Sequence, residues 1–151
     1  MKVLVVCQYY YPEPFRITDI CESLVNRGHE VTVITGLPNY PEGKIPQEYR
    51  HGSKRKEKLN GVNVIRCYEI ARGKSKIGLF LSYFSYATSA TVRAIFMKDQ
   101  YDVILVNQLS PVMMGIPAMV YKKRSKKKSW FYSQDLWTDS LAAGGVNQDS
   151  I

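Results

Sequence analysis

Histidine and cysteine are scarce in this sequence, and neither is grouped. The only histidines are His29 and His51, and the three cysteines, Cys7, Cys21 and Cys67, lie far apart with no CxxC or CxxxC pair. Such spacing argues against a zinc site or a disulfide framework and reads as reduced thiols in a cytoplasm. His29 follows Gly28 at the entry to a strand, a structural turn position, and His51 sits in a solvated basic loop. No metal site is expected. No GxGxxG and no GxxxxGK[ST] occurs, so the usual backbone cradles for dinucleotides and nucleotide phosphates are missing. No serine lies in a G-x-S-x-G elbow. The N-terminal MKVLVVCQYYYP has too short an apolar run for a secretory signal. Ile77–Val92 is uncharged over sixteen residues but rich in Ser, Thr and Tyr, too short and too polar to span a bilayer.

What is present describes one domain. The chain has 151 residues, 45% hydrophobic and 23% charged, an ordinary globular composition long enough to bury a core. Lys and Arg number 21 against 13 acids, a net charge of +8 that favours an anionic partner, nucleic acid or lipid.

Lys2–Cys7 is a nearly continuous β-branched run, the pattern of a strand buried on both faces of a parallel sheet. Ile17, Ile20, Cys21, Leu24 and Val25 then recur at helical spacing, with Pro14 placed for the first turn and Gly28 for the end. Val31–Thr35 is a second buried strand, completing a βαβ unit. Residues 36–53 have turn composition and no period, a long loop of the kind that is usually functional or disordered. Asn60-Gly61 joins two strands as a hairpin. Ile77–Lys98 reads as a helix with Ile77, Phe80, Leu81, Phe84, Ala87, Thr88, Val92, Ile95 and Phe96 on its apolar face. Val103–Val106 is a strand, Val112–Tyr121 a short helix, and Trp130–Tyr132 part of a further strand. This alternation predicts an α/β fold, a Rossmann-like, mostly parallel sheet with helices on both faces. The tail Ala142–Ile151 ends without a strand or capping helix, so the chain reads as cut from something longer.

Ligands of such sheets bind outside the carboxyl ends of the strands. The loops brought to that edge carry Glu13, Phe15, Arg16, Asn39, Tyr40 and Asp135, and these are expected to line a pocket. Aromatic rings beside a carboxylate and a guanidinium can stack on a sugar and bond its hydroxyls. The same Tyr9–Arg16 segment can equally be a proline-stiffened cap over the sheet edge. Gln134-Asp135 follows an apolar strand, a good place for a functional carboxylate, although Asp135 could instead cap a helix over Leu136–Leu141. Lys122, Lys123, Arg124, Lys126, Lys127 and Lys128 put six cations into seven residues. A run like this is either a solvated turn or, with the helix face carrying Leu79, Tyr83, Tyr86 and Met97, a surface for anionic lipid. It holds no interleaved aromatic, so nucleic acid is not expected.

MKVLVVCQYYYPEP, LVNRGHEVTVITGLPNYPEGKI, YDVILVNQLSP and FYSQDLWTDSL, in that order, resemble the acceptor domain of family-4 retaining glycosyltransferases. The likeness is greatest to bacterial transferases of lipopolysaccharide, capsule and colanic-acid assembly, and it runs from Met1 to about Leu141. It implies the N-terminal half of a GT-B fold, with residues 1–151 forming a single truncated acceptor-binding domain. The nucleotide-sugar domain and its E-x-x-x-x-x-x-x-E signature are absent. It further implies metal-independent transfer with retention from a nucleotide sugar to a lipid-linked glycan, with no cofactor beyond that co-substrate. The enzyme would be cytoplasmic and peripheral on the inner face of the plasma membrane. Two departures bear on the site. Glu13-Pro14-Phe15-Arg16 stands where many relatives have a glycine-rich loop, and Gln134-Asp135 where many have His-Asp. Glutamine cannot take a proton, so Gln134 is expected to bond a sugar hydroxyl and Asp135 to orient it. Other readings are half of a nucleotide-sugar 2-epimerase of the same fold, or a basic Rossmann-like module for nucleic acid.

Overall fold

The computed structural model describes residues 1–109 and 111–134. Six strands form one sheet: β1 (Lys2–Val6), β2 (Glu30–Thr35), β3 (Lys56–Leu59), β4 (Val62–Arg66), β5 (Val103–Gln108) and β6 (Lys128–Ser133). Their spatial order is β3-β4-β2-β1-β5-β6. All neighbours are parallel except the β3–β4 hairpin, in which Leu59 pairs with Val62 across Asn60-Gly61. Both turn residues have positive φ, 47° and 85°, the conformation that a tight two-residue turn demands and Asn-Gly tolerates.

The predicted α/β sheet with helices on both faces is observed. Helix α1 (Ile17–Asn26) covers one face, where Ile17 and Cys21 pack on Val3, Val5, Val31, Val33, Val62 and Val64. Helices α2 (Lys76–Phe96) and α3 (Ile116–Ser125) cover the other, over Leu4, Val6, Ile34, Ile104 and Val106. The first helix starts later than expected. Pro14 lies in the turn before it, where Phe15 N–H donates to the Glu13 carbonyl at 2.8 Å.

A larger correction concerns α2. Of the residues assigned to its core face, only Ala87 is buried; Ile77, Phe80, Phe84 and Phe96 are exposed, Ile77 at 74% and Phe96 at 73%. The helix instead buries Ser82, Tyr86, Ala90 and Ala94, and Met97 just past its end is buried too, so Tyr86 and Met97 are not on the lipid-facing side expected of them. Small residues at 82, 90 and 94 let α2 approach the sheet closely. Tyr86 fills the gap, its hydroxyl donating to the Cys7 carbonyl at 2.9 Å. Fit to the sheet, and not hydrophobicity alone, decides which face is inside.

Arg66, at the end of β4, is buried. It donates from Nε to Glu57 Oε1 at 2.7 Å and from Nη2 to the Tyr11 carbonyl at 2.6 Å, and its guanidinium lies 4.7 Å from the Tyr49 ring centroid. One side chain thus ties the hairpin to the first loop and to the long loop. Arg66→Met should cost about 3 kcal/mol, because it leaves the half-buried Glu57 carboxylate without its cation. Urea denaturation measures this, and Arg66→Met with Glu57→Met should recover part of the loss.

Candidate functional site

Three segments meet at the carboxyl edge of the sheet: Gln8–Arg16 after β1, Gly36–Tyr40 after β2, and Cys67–Arg72 after β4. A buried carboxylate joins the first two. Glu13 Oε1 accepts the backbone N–H groups of Asn39 at 2.9 Å and Tyr40 at 2.8 Å, and Oε2 accepts that of Tyr10 at 3.3 Å. Burial pushes the Glu13 carboxyl above its ordinary range, against the pull of these three donors. Glu13 is therefore a clamp on two loops.

Asn39 continues the network. Its Nδ2 donates to the Leu37 carbonyl at 2.9 Å and to Glu69 Oε1 at 3.1 Å, while its Oδ1 accepts Arg72 N–H at 3.2 Å. Glu69 is wholly buried; Oε1 also accepts from Gln8 Nε2 at 2.6 Å and Ser82 Oγ at 2.7 Å, and Oε2 has no hydrogen-bond partner among the described residues. Gly36 makes room for it, since a Cβ there would fall 1.7 Å from Glu69 Oε2. Desolvation pushes the Glu69 carboxyl up to about 8, although three donors favour its ionised form.

Above this polar floor lies an aromatic wall. Tyr9 and Phe15 stack at 5.0 Å between centroids, and the Tyr40 ring tilts against Phe15 at 5.3 Å. Tyr9 is buried, Phe15 half-buried and Tyr40 38% exposed. The Arg72 guanidinium lies 5.4 Å from the Tyr40 ring centroid. An exposed ring beside a cation is suited to bind a polyhydroxylated, partly apolar face.

The structure brings Glu13, Phe15, Asn39 and Tyr40 together, but in two groups. Phe15 and Tyr40 form the surface, whereas Glu13 and Asn39 lie beneath it with their polar atoms engaged. Arg16 is exposed at the start of α1. Gln134 is exposed and extends β6, donating its backbone N–H to the Gln108 carbonyl at 3.0 Å. That position is two strands from β1, about 10 Å along the edge. Asp135 lies outside the described residues. The basic run is mostly helical: Lys122, Lys123 and Arg124 close α3, Lys126 caps it and Lys128 opens β6. Arg124 is committed within the fold, donating to the carbonyls of Ile95 and Met97.

Sequence reasoning missed Glu69 and Arg72. A lone glutamate after an edge-side strand reads as solvated, and only the meeting of three strand ends reveals its burial. A hollow of about 490 Å³ lined by Lys2, Glu30, Lys56 and Tyr101 lies at the opposite edge, around the amino ends of β1 and β2. Ligands of parallel α/β sheets bind at the carboxyl ends of the strands, the edge where Glu13, Asn39 and Tyr40 lie.

The structure of CalG4, the calicheamicin glycosyltransferase, superposes with a TM-score of 0.60 over 97% of this chain and 38% of its own, at 13% identity. TcCGT1, solved in complex with UDP, gives a TM-score of 0.57 over 99% of this chain and 32% of its own, at 11% identity. The chain has a fold found in GT-B glycosyltransferases. It spans about a third of the length of each of these two proteins. No family model matches the sequence, and no curated protein matches it.

Proposed function

We propose that this chain is the acceptor-binding domain of a retaining, metal-independent glycosyltransferase that moves a sugar from a nucleotide sugar to a lipid-linked glycan in surface polysaccharide synthesis. The reading places it in the cytoplasm, peripheral to the inner face of the membrane. It rests on one observation above others: the Tyr9–Phe15–Tyr40 wall with Arg72 stands at the carboxyl edge of a sheet whose fold recurs in glycosyltransferases.

A pyranose ring stacks its C–H face on Tyr40 and Phe15, while Arg72 and Arg16 bond its hydroxyls or a nearby phosphate. Glu13, Asn39 and Glu69 act beneath, fixing the two loops so that the rings are in place before the acceptor arrives. Gln134 bonds the acceptor hydroxyl and Asp135 orients it. The nucleotide sugar is held mainly by a second domain, the other wall of the cleft in a GT-B enzyme.

The test uses a transferase carrying both domains. Tyr40→Ala should lower kcat/KM for the acceptor about tenfold, about 1.4 kcal/mol of transition-state binding, without moving the KM for the nucleotide sugar. Titration calorimetry on this chain alone should show the saccharide acceptor binding and the nucleotide sugar not. Tight nucleotide-sugar binding by the chain, indifferent to Tyr40→Ala, would overturn the assignment.

A further inference from the structure

We propose that the outer face of α2 and α3 lies flat on an anionic lipid bilayer. This deepens the functional reading by naming the surface that would bring a lipid-linked acceptor to the site.

The first observation is the inverted helix. Over the 21 residues of α2, about 30 Å, Ile77, Phe80, Leu81, Phe84, Val92 and Ile95 form one solvent-facing stripe that ends at Phe96. Phe80 and Phe84 stack at 6.3 Å, so the rings stand together on the surface. The stripe does not stop at the helix edge. A hollow of about 290 Å³ between α2 and α3 is lined by Phe84, Val92, Met113 and Ile116. Ile116 also lines a hollow of about 700 Å³ between α3 and β6, with Met119 and Phe131 for its apolar lining and Lys122, Lys123, Lys126 and Lys127 around them. Ile116 lines both hollows, so the exposed apolar side chains of α2 adjoin those of α3 and β6. Monomeric domains rarely leave so large an apolar patch in water unless it binds something.

The second observation is charge. Residues 1–69 hold ten Lys and Arg against eight acids, a balance of +2, whereas residues 70–134 hold eleven against two, a balance of +9. The two acids, Asp99 and Asp102, lie between the helices in sequence; α2 and α3 contain none. Each of the three ion pairs among the described residues involves only residues 2–66. Lys74 and Lys98 flank α2 and Lys76 opens it, while Lys122 and Lys123 lie in the last turn of α3 and Lys126 caps it, all exposed. An apolar stripe lying between lysines is the pattern of a helix that sits in the interfacial plane.

Charge also selects among occupants. A second copy would set one strongly positive face against another. No helix among the described residues is long and apolar enough to cross a membrane, so α2 lies on the bilayer and does not span it.

Flotation of the 151-residue chain with vesicles tests the proposal. It should bind phosphatidylcholine vesicles containing phosphatidylglycerol and ignore phosphatidylcholine alone. Phe80→Ser with Phe84→Ser and Phe96→Ser should weaken binding by about tenfold or more, as should Lys122, Lys123, Lys126 and Lys127→Gln. These side chains are outside the core, so unchanged melting temperatures should accompany the loss. Salt high enough to shorten the Debye length to about 3 Å should release the wild type. Vesicle binding equal in wild type and both variants would overturn the proposal. So would a lipid-free dimer that the Phe variant dissolves, which would assign the face to a second copy. Vesicle binding reads the surface alone: its loss in the variants while the purified enzyme still glycosylates a soluble acceptor supports both readings. Intact vesicle binding with no transfer faults the functional reading instead.

Discussion

Glu13→Ala should destabilise the protein by about 3 kcal/mol and, if the proposed function holds, abolish most acceptor binding, although Glu13 lies beneath the aromatic wall. Its carboxylate is the partner of three backbone N–H groups, those of Tyr10, Asn39 and Tyr40. Alanine leaves these donors buried without acceptors, each a cost of about 1–3 kcal/mol, reduced where water enters the space. The consequence falls on both loops together. Tyr40 carries the exposed ring of the wall, and its backbone is held to the first loop through Glu13. Urea denaturation followed by circular dichroism gives the stability loss. Calorimetry with the acceptor saccharide gives the loss of binding. Glu13→Gln separates clamp from charge: its amide oxygen can still accept from Asn39 and Tyr40, so it should retain most of the stability. If Glu13→Ala melts with the wild type and binds acceptor as well, the loops are held by something other than this carboxylate.

The parts of the fold that were readable in the sequence are those governed by a single physical rule. Val3–Cys7 and Val31–Thr35 are buried on both faces, so their unbroken apolar runs mark them as central strands, and the structure has both. Asn60-Gly61 needs two positive φ angles, which few residue pairs accept, so the hairpin was legible too. Helix α2 was legible in extent but not in orientation. Periodicity locates an apolar face and then assumes that it is buried; here two faces compete, and the smaller side chains win the sheet while the larger ones remain outside. At the candidate site, chemistry was readable by residue type and position but roles were not. Glu13 and Asn39 were chosen as groups that could bond a sugar, and their polar atoms turn out to be committed to the loop backbones and to Glu69. That distinction depends on pairings between residues 26 to 30 positions apart, which no local pattern carries.

Glu69 should make the protein less stable as pH rises from about 4.5 to about 8, and Glu69→Gln should remove that slope. The sign follows from the direction of the shift. Burial holds the folded-state carboxyl at about 8, whereas in the unfolded chain it titrates near its ordinary value of 4.5. Between these values the folded state keeps a proton that the unfolded state has released, so each unit of pH costs about 1.4 kcal/mol of stability. Below about 4.5 the group contributes no slope, and above about 8 the penalty, of order 5 kcal/mol, is complete. Gln8 Nε2, Ser82 Oγ and Asn39 Nδ2 all donate to Oε1, and a glutamine carbonyl placed there can accept the same three bonds. Oε2 has no donor pointing at it among the described residues, so an amide nitrogen in that position breaks no hydrogen bond. Glu13 is a second buried carboxyl raised in the same direction and will tilt the wild-type curve as well, which is why the difference between the two proteins is the informative quantity. Urea midpoints at pH 5, 7 and 9 measure it. The variant should match the wild type at pH 5 and exceed it increasingly at pH 7 and 9. Parallel curves would mean that Glu69 ionises in the folded protein as readily as in water, and that burial at the floor of the site does not hold its proton.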